Sequence, residues 1–348
     1  MKINSRKVGK DFAPYVIAEM SANHNGDIEN AKKIITAAHV SGADAVKIQT
    51  YKPDTITLDS KSEEFMIRDG GLWDGRSLFD LYEEAHMPWD WHEPLFKFAK
   101  EIGISIFSSP FDKTAVDLLE ELSAPAYKIA SFEIIDLPLI KYVASTKKPM
   151  IISTGMANKE EISEALGAAK EGGCNDVALL HCISSYPADP SDYNLKTIAD
   201  MESSFNVNVG ISDHTLNNTT AITSVAFGAC IIEKHFTLDR SGGGPDDSFS
   251  LEPDELRSLC EDSQAAWKAI GGIDYKLKEA ESSNIKFRRS LYFIKDLKKG
   301  EKIKQSDIAS VRPGYGIPPK NFDLIIGKEV SEDVKKNTAI KFSDICDF

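Results

Sequence analysis

The sequence predicts an α/β fold, a (β/α)8 TIM barrel followed by a small C-terminal domain. Three observations carry this expectation. Eight short, β-rich apolar runs recur along the chain, helix-patterned stretches separate them, and 348 residues suffice for one large barrel plus an appendage. Strict alternation of strand and helix requires a parallel sheet, and eight strands suit its closure into a barrel; a doubly wound open sheet is the structural alternative.

In order, the strand runs are "PYVIAEMS", "DAVKIQTY", "ISIFSS", "AYKIAS", "PMIISTG", "VALLHCIS", "VNVGISD" and "CIIEKHF". Between them, "NAKKIITAAHVSG", "AVDLLEELS" and "KEEISEALGAAKEGG" place apolar residues at helical spacing and end near small residues or glycine. The stretch from Lys52 to His92 is too long for a simple crossover and is expected to add loops or short helices at the barrel mouth. "SGGGPDD" reads as a flexible loop after the eighth strand that brings Asp246 to the pocket.

Composition excludes several classes. With 42% hydrophobic and 27% charged residues the chain has a core to bury, and its net charge of -13 opposes attachment to nucleic acid or to an anionic bilayer. Five cysteines without CxxC spacing, and an N-terminus lacking an apolar signal core, point to a reduced cytoplasmic protein. No apolar run approaches membrane-spanning length. An anionic substrate would need a locally basic pocket.

Barrel enzymes build their sites from the C-terminal ends of the strands. Here those ends are polar in every case: Glu19, Ser21, Asn23 and His24; Lys47 and Gln49; Ser108 and Ser109; Lys128 and Ser131; Ser153 and Thr154; His181, Ser184 and Tyr186; Ser212 and His214; Glu233, Lys234 and His235. One such residue is commonly a turn former or a solvated side chain. Recurrence at eight ends points to a site.

His214 and His235 close the seventh and eighth strands, neighbours in a barrel, so they could share one ion. Imidazole suits Mn, Fe, Zn or Co, and two histidines with open positions would make a catalytic metal site. Lys47 and Lys128 hold matching positions on different strands, with Ser109, Ser131 and Ser153 nearby as hydroxyl donors. That set suits a phosphorylated or carboxylated substrate. The plainer reading pairs each lysine with a carboxylate, for which Glu19 or Glu133 could serve.

Taken together, "IAEMSANHNG", "AVKIQTY", "YKIAS", "IISTGM", "LLHCISSYP", "GISDHT" and "EKHFTLDR" resemble, in this order, the sialic acid synthase family, which condenses phosphoenolpyruvate with an amino sugar. After about residue 280 the chain resembles the antifreeze-like (SAF, β-clip) domain that follows the barrel in these synthases. The resemblance implies a catalytic barrel over residues 1–275, a linker over 276–288 and an SAF domain over 289–348. It implies a metal on His214 and His235, Mn foremost with Mg or Co as substitutes, and phosphoenolpyruvate held by Lys47, Ser109, Lys128, Ser131, Ser153 and Ser212. Glu19 and Glu233 are the implied catalytic carboxylates beside the two histidines, and Gln49, Ser184, Tyr186 and Asp246 the implied sugar contacts. Arg312 in "VRPGYGI" matches an arginine the family supplies from a partner subunit, implying a homodimer in which each SAF domain covers the other barrel.

Within the family, "EMSANHN", "SSYP" and "GGGPDDSFSLEP" are most similar to the pseudaminic acid branch. Ser184 stands where sialic and legionaminic acid synthases commonly have asparagine, and Met20-Ser21 replaces Ile-Gly. The implied acceptor is therefore 2,4-diacetamido-2,4,6-trideoxy-L-altrose, with N-acetylneuraminate or legionaminate synthesis from a manno-configured sugar as the alternative. Outside the family, a Schiff-base aldolase using Lys128 and a noncatalytic sugar- or surface-binding protein are the rivals.

Overall fold

The computed structural model describes residues 1–68 and 70–347. Its first unit, Met1–Gly271, is a closed barrel of eight parallel strands. These are β1 (Tyr15–Glu19), β2 (Ala45–Thr50), β3 (Ser105–Pro110), β4 (Tyr127–Ile129), β5 (Met150–Ser153), β6 (Val177–Cys182), β7 (Asn208–Ser212) and β8 (Ile231–His235), with β8 hydrogen-bonded to both β7 and β1. The eight runs read from sequence are these eight strands, and the open-sheet alternative is excluded by the closure. At least one helix follows each strand, from Ile28–Val40 after β1 to Pro253–Ile270 after β8.

The helices start and stop where their residues dictate. Asp27, Asp112 and Asn158 are N-caps whose side chains accept hydrogen bonds from first-turn amides, and Glu161 completes a capping box with Asn158. Gly103 and Gly173 end their helices in the left-handed conformation. Helix faces bearing Ile34, Leu95, Leu119, Ile140 and Leu256 pack on outward strand residues such as Val46, Ile48 and Ile152.

Inside the barrel a second apolar cluster fills the lower half. Tyr15, Ile17, Phe107, Ile151, Leu180 and Ile231 meet there, joined by Ile3 and Val8 of the N-terminal hairpin segment. Side chains two residues apart on a strand share a face. Ile17, Ala45, Phe107, Ala126, Ile151 and Ile231 therefore lie one step below Glu19, Lys47, Ser109, Lys128, Ser153 and Glu233. The apolar plug is the floor on which the polar strand ends stand. Between Thr50 and His92 the chain forms the short helices Pro53–Ile56, Glu63–Phe65, Leu78–Ala85 and Trp89–Trp91, as its length predicted.

The second unit, Gly272–Phe348, has a separate core of Leu291, Phe293, Ile303, Ile308, Ile325, Val330 and Ile340. A two-stranded antiparallel ribbon pairs β9 (Ser290–Phe293) with β10 (Ile308–Val311). Isolated bridges such as Leu297–Val334 and Lys302–Glu329 tie the remaining loops together. Among the described residues, no helix is long and apolar enough to cross a membrane.

Candidate active site

Four buried charges stand at the centre of the mouth. Lys47 Nζ lies 2.8 Å from Glu19 Oε2 and 3.8 Å from Glu233 Oε1, and Lys128 Nζ lies 3.0 Å from the same Glu233 oxygen. All four side chains are almost wholly buried. The strands place them by register, since Glu19 is paired with Lys47 across β1 and β2, and Glu233 faces Ser212 across β7 and β8. Lys47 also donates to Ser109 at 3.3 Å, and Ser212 donates to Glu233 at 3.1 Å.

The sequence expectation of a net-basic anion pocket is corrected here. Two lysines face two glutamates, because a buried ammonium without a counter-ion would cost several kcal/mol, on the order of 3–5. The lysine partners are Glu19 and Glu233, not Glu133. Burial pushes the Glu19 carboxyl up despite Lys47, whereas burial on Glu233 is outweighed by Lys128 and Lys47, which hold it below the usual carboxylate range. Two neighbouring carboxylates are thus driven apart in acidity.

Several polar atoms around this cluster are buried without a hydrogen-bond partner, among them Glu233 Oε2, Ser153 Oγ, Ser184 Oγ and His235 Nδ1. A buried orphan is costly and rare outside ligand sites. Gly155 lets the Ser131 and Ser184 side chains close in, since a Cβ there would collide with both hydroxyls, and its amide donates to Ser131 Oγ at 3.2 Å.

On the other side of the mouth the lining is aromatic. The His214 and His235 ring centroids are 5.4 Å apart, and Tyr186 packs 4.3 Å from His214 and 5.2 Å from Phe249. His214 Nδ1 donates to the Ile183 carbonyl at 2.7 Å, and although burial opposes it, the neighbouring Cys182 thiol, which the ring also hydrogen-bonds, pushes the imidazole pKa up. His235 is held well below the ordinary imidazole value by burial first, then by His214 and the lysines, so its ring is neutral. Two buried imidazoles side by side, one of them with an orphaned nitrogen, fit a divalent cation, which would take the place of the proton that His214 holds. Among the described residues, no group of three or more His, Cys, Asp or Glu is arranged as a ligand set.

The "SGGGPDD" loop departs from expectation. It is tied down by Asp247, which accepts hydrogen bonds from Thr237, from Asn25 at 3.0 Å and from the Gly244 amide at 2.8 Å. Gly244 is required because a Cβ would strike Asn25. Asp246 is thereby held buried at the mouth, accepting from the Ser21 hydroxyl. Gln49 donates to Glu19 at 2.8 Å and to Ser21 at 3.0 Å.

The structure thus brings Glu19, Lys47, Gln49, Ser109, Lys128, Ser131, Ser153, Ser184, Tyr186, Ser212, His214, Glu233, His235 and Asp246 to the strand ends and loops of the barrel mouth. Arg312 lies in the second unit, exposed just after β10, with no ion pair or hydrogen bond among the described residues. Two contributors, Tyr193 and Trp73, escaped the sequence reading, and Glu133 entered it only as a lysine partner. Tyr193 is fully buried, donates to the Ser212 carbonyl at 3.1 Å and accepts from the His214 amide at 2.8 Å, which fixes the His214 backbone. Trp73, in the Lys52–His92 insertion, packs its ring tilted against Tyr186 with centroids 5.9 Å apart and donates to the Pro245 carbonyl at 3.2 Å. Glu133 carries a buried, unpartnered Oε2, and burial pushes its carboxyl up to about 7. A tryptophan in an overlong insertion was the available signal for Trp73; Tyr193 gave none beyond its residue type.

Comparison with known proteins places this architecture. Residues 34–275 match the NeuB family and residues 288–345 the SAF domain. The chain is 45% identical to a pseudaminic acid synthase of Campylobacter jejuni, covering 96% of this chain and 97% of that one. It is 38% identical to the N,N'-diacetyllegionaminic acid synthase of the same organism, covering 94% and 98%. The crystal structure of the Bacillus subtilis spore coat polysaccharide biosynthesis protein SpsE superposes with a TM-score of 0.68 at 33% identity, covering 99% and 98%. With its family model matched across the barrel and full-length relatives well above 30% identity, the chain belongs to the NeuB family.

Proposed function

We propose that the chain is a metal-dependent pseudaminic acid synthase that condenses phosphoenolpyruvate with 2,4-diacetamido-2,4,6-trideoxy-L-altrose and water, releasing phosphate. The observation that carries this is the buried Lys47–Glu19 and Lys128–Glu233 lattice facing His214 and His235, in a chain closer to the pseudaminic than to the legionaminic acid synthase of one organism.

The residues divide the work. Lys47 and Lys128 exchange part of their carboxylate contacts for the phosphate and carboxylate of phosphoenolpyruvate, with Ser109, Ser131, Ser153 and Ser212 as directional donors. A divalent cation on His214 and His235, manganese foremost, would polarise the aldehyde oxygen of the open-chain sugar. C3 of phosphoenolpyruvate attacks that carbonyl carbon, and the positive charge that develops at C2 meets Glu19 and Glu233. Water then adds at C2 and the C2–O bond to phosphate breaks. Gln49, Ser184, Tyr186 and Asp246 hold the sugar so that the reacting carbons are aligned. A Schiff-base aldolase would need Lys128 as a free amine; burial does lower its pKa, but Glu233 at 3.0 Å opposes loss of the proton.

The same reading takes the active molecule to be a homodimer with Arg312 of each chain serving the other barrel. Ile273 and Tyr275 at the start of the second unit are 95% and 98% exposed, and Phe132, Ile135 and Met156 stand exposed beside the mouth. Apolar surface of that kind asks for a cover. The five cysteines are all unpaired, which suits a cytoplasmic enzyme.

The test is phosphate release from phosphoenolpyruvate with a panel of amino sugars. Turnover with the L-altro sugar, lost to chelator and restored by Mn, is expected. Turnover only with N-acetylmannosamine or a manno-configured diacetamido sugar would overturn the acceptor, and borohydride trapping of Lys128 would overturn the reaction class. For the dimer, mixing Arg312→Ala with His235→Ala subunits should regenerate one intact site per mixed dimer; verified mixed dimers without activity would refute the trans arrangement.

A further inference from the structure

Ser21 occupies a backbone conformation that serine seldom takes. Its φ is 46°, in the left-handed region, where a Cβ crowds the following carbonyl and only Gly, Asn and Asp are at ease. Asn25 and Gly26, also at positive φ in this loop, are residues of that kind. Ser21 is not. Strain of this sort persists where the surroundings hold it and the side chain gains something in return.

The gain is visible in the hydrogen bonds. The Gln49 amide nitrogen has two hydrogens, and it spends them on Glu19 Oε1 at 2.8 Å and Ser21 Oγ at 3.0 Å. Ser21 must therefore accept from Gln49, and its own proton goes to Asp246 Oδ2 at 2.5 Å. The Ala22 amide reaches the same oxygen at 3.4 Å. Among the described residues, Asp246 Oδ1 makes no hydrogen bond. Among the described residues, the buried hydroxyl of Ser21 is thus the hydrogen-bonded link between the Glu19–Gln49 pair on β1 and β2 and the Asp246 carboxylate after β8, three neighbouring strand ends.

We propose that Ser21 is a positioning residue: it anchors one oxygen of Asp246, directs the other at the acceptor sugar, and so sets acceptor affinity without touching phosphoenolpyruvate. The inference rests on the condensation reading above. It also explains why a residue poorly suited to its φ is kept at this position. A glycine would fit the backbone better and would cut the relay.

That conflict supplies the test. Ser21→Gly suits the left-handed backbone and removes the hydroxyl; Ser21→Ala keeps the Cβ and removes the same hydroxyl. Phosphate release is measured with each substrate varied in turn, for wild type, both variants, Asp246→Ala and the Ser21→Gly/Asp246→Ala double variant. Both serine variants are expected to raise the acceptor KM about tenfold, the cost of one hydrogen bond to a charged group, with the phosphoenolpyruvate KM unchanged within about twofold. Because Ser21 acts through Asp246, Ser21→Gly should add less than about twofold on the Asp246→Ala background. Melting temperature of Ser21→Gly is expected at or above that of wild type. An unchanged acceptor KM, a phosphoenolpyruvate KM that rises in step, or full multiplication of the two effects would overturn the proposal. If wild type proves to use a different amino sugar, the acceptor named above falls while the same comparison on that sugar still judges Ser21; if it releases phosphate with none, both fall.

Discussion

The lower and upper layers of the barrel interior sit on the same strands, two residues apart, and have opposite chemistry. Below are Ile17, Phe107, Ile151 and Ile231, above are Glu19, Ser109, Ser153 and Glu233. The lower layer stabilises by removing apolar surface from water, at about 25 cal/mol per Å2. The upper layer gains little from burial, since each ion pair must first offset the loss of hydration. One lattice therefore separates stability from function by a single pleat, and substitutions can show whether the separation is real.

The largest effect is expected from Lys128→Ala. It leaves Glu233 with the 3.8 Å contact to Lys47 and the Ser212 hydrogen bond, and removes an anion-binding charge. Unfolding free energy should drop by about 3 kcal/mol, with kcat/KM for phosphoenolpyruvate down by roughly three orders of magnitude. Urea denaturation and steady-state kinetics read the two losses. A variant as stable as wild type would show that the pair is not buried in the protein's working state.

Phe107→Ala, one pleat below Ser109, should destabilise by a similar amount, about 3–5 kcal/mol, yet leave KM for both substrates within a few-fold at a temperature where the protein is folded. Loss of turnover matching that of Lys128→Ala would break the comparison, because it would show the floor and the site to be one mechanical unit.

Much of this layering was legible in sequence, and the reason is geometric. Alternation along a strand fixes which residues share its inner face, and strand ends in a barrel converge, so Lys47, Lys128, Glu19 and Glu233 could be assigned to one mouth without coordinates. What stayed hidden depends on contacts across long stretches of chain. Nothing local tells that Lys128 pairs with Glu233 and not with Glu133, that Asp247 knots the glycine loop, or that Ser21 holds a positive φ. The expected flexible loop was wrong for that reason: three glycines read as freedom, while the carboxylate that restrains them reads as one more surface acid.

Glu133 sharpens the upper side of the comparison, since it has no lysine in contact. Burial raises its carboxyl to about 7 from an ordinary 4.5, Asp136 adds to the rise, and Lys128 and Lys47 oppose it. Between those values the folded state binds more protons than the unfolded one, so this group's contribution to stability falls as pH rises from about 4.5 to 7 and is level above. Glu133→Gln should remove that slope, making the variant relatively more stable at pH 8 than at pH 5 by about 1–2 kcal/mol, below the full linkage value because the residue is only partly enclosed. Parallel pH profiles of unfolding for variant and wild type would refute it.

The smallest effect on stability, and the most selective on function, is expected at Trp73. This side chain belongs neither to the floor nor to the strand ends; it arrives on the Lys52–His92 insertion and rests on Tyr186, which in turn rests on His214. Its indole N–H to the Pro245 carbonyl fastens the insertion to the loop that carries Asp246. Since the ring is only half-buried and packs on no part of either interior cluster, Trp73→Ala should cost under about 1 kcal/mol of global stability. It should release the insertion locally, with faster hydrogen exchange around residues 66–77, and raise the acceptor KM about tenfold while sparing phosphoenolpyruvate. Trp73→Phe keeps a ring against Tyr186 and loses the hydrogen bond, so it should fall between the two. An acceptor KM that is unchanged in Trp73→Ala would mean that the aromatic side of the mouth is complete without the insertion. Equal rises for both substrates would mean that the insertion supports the ionic cluster as well, and the mouth would then be one layer, not two halves.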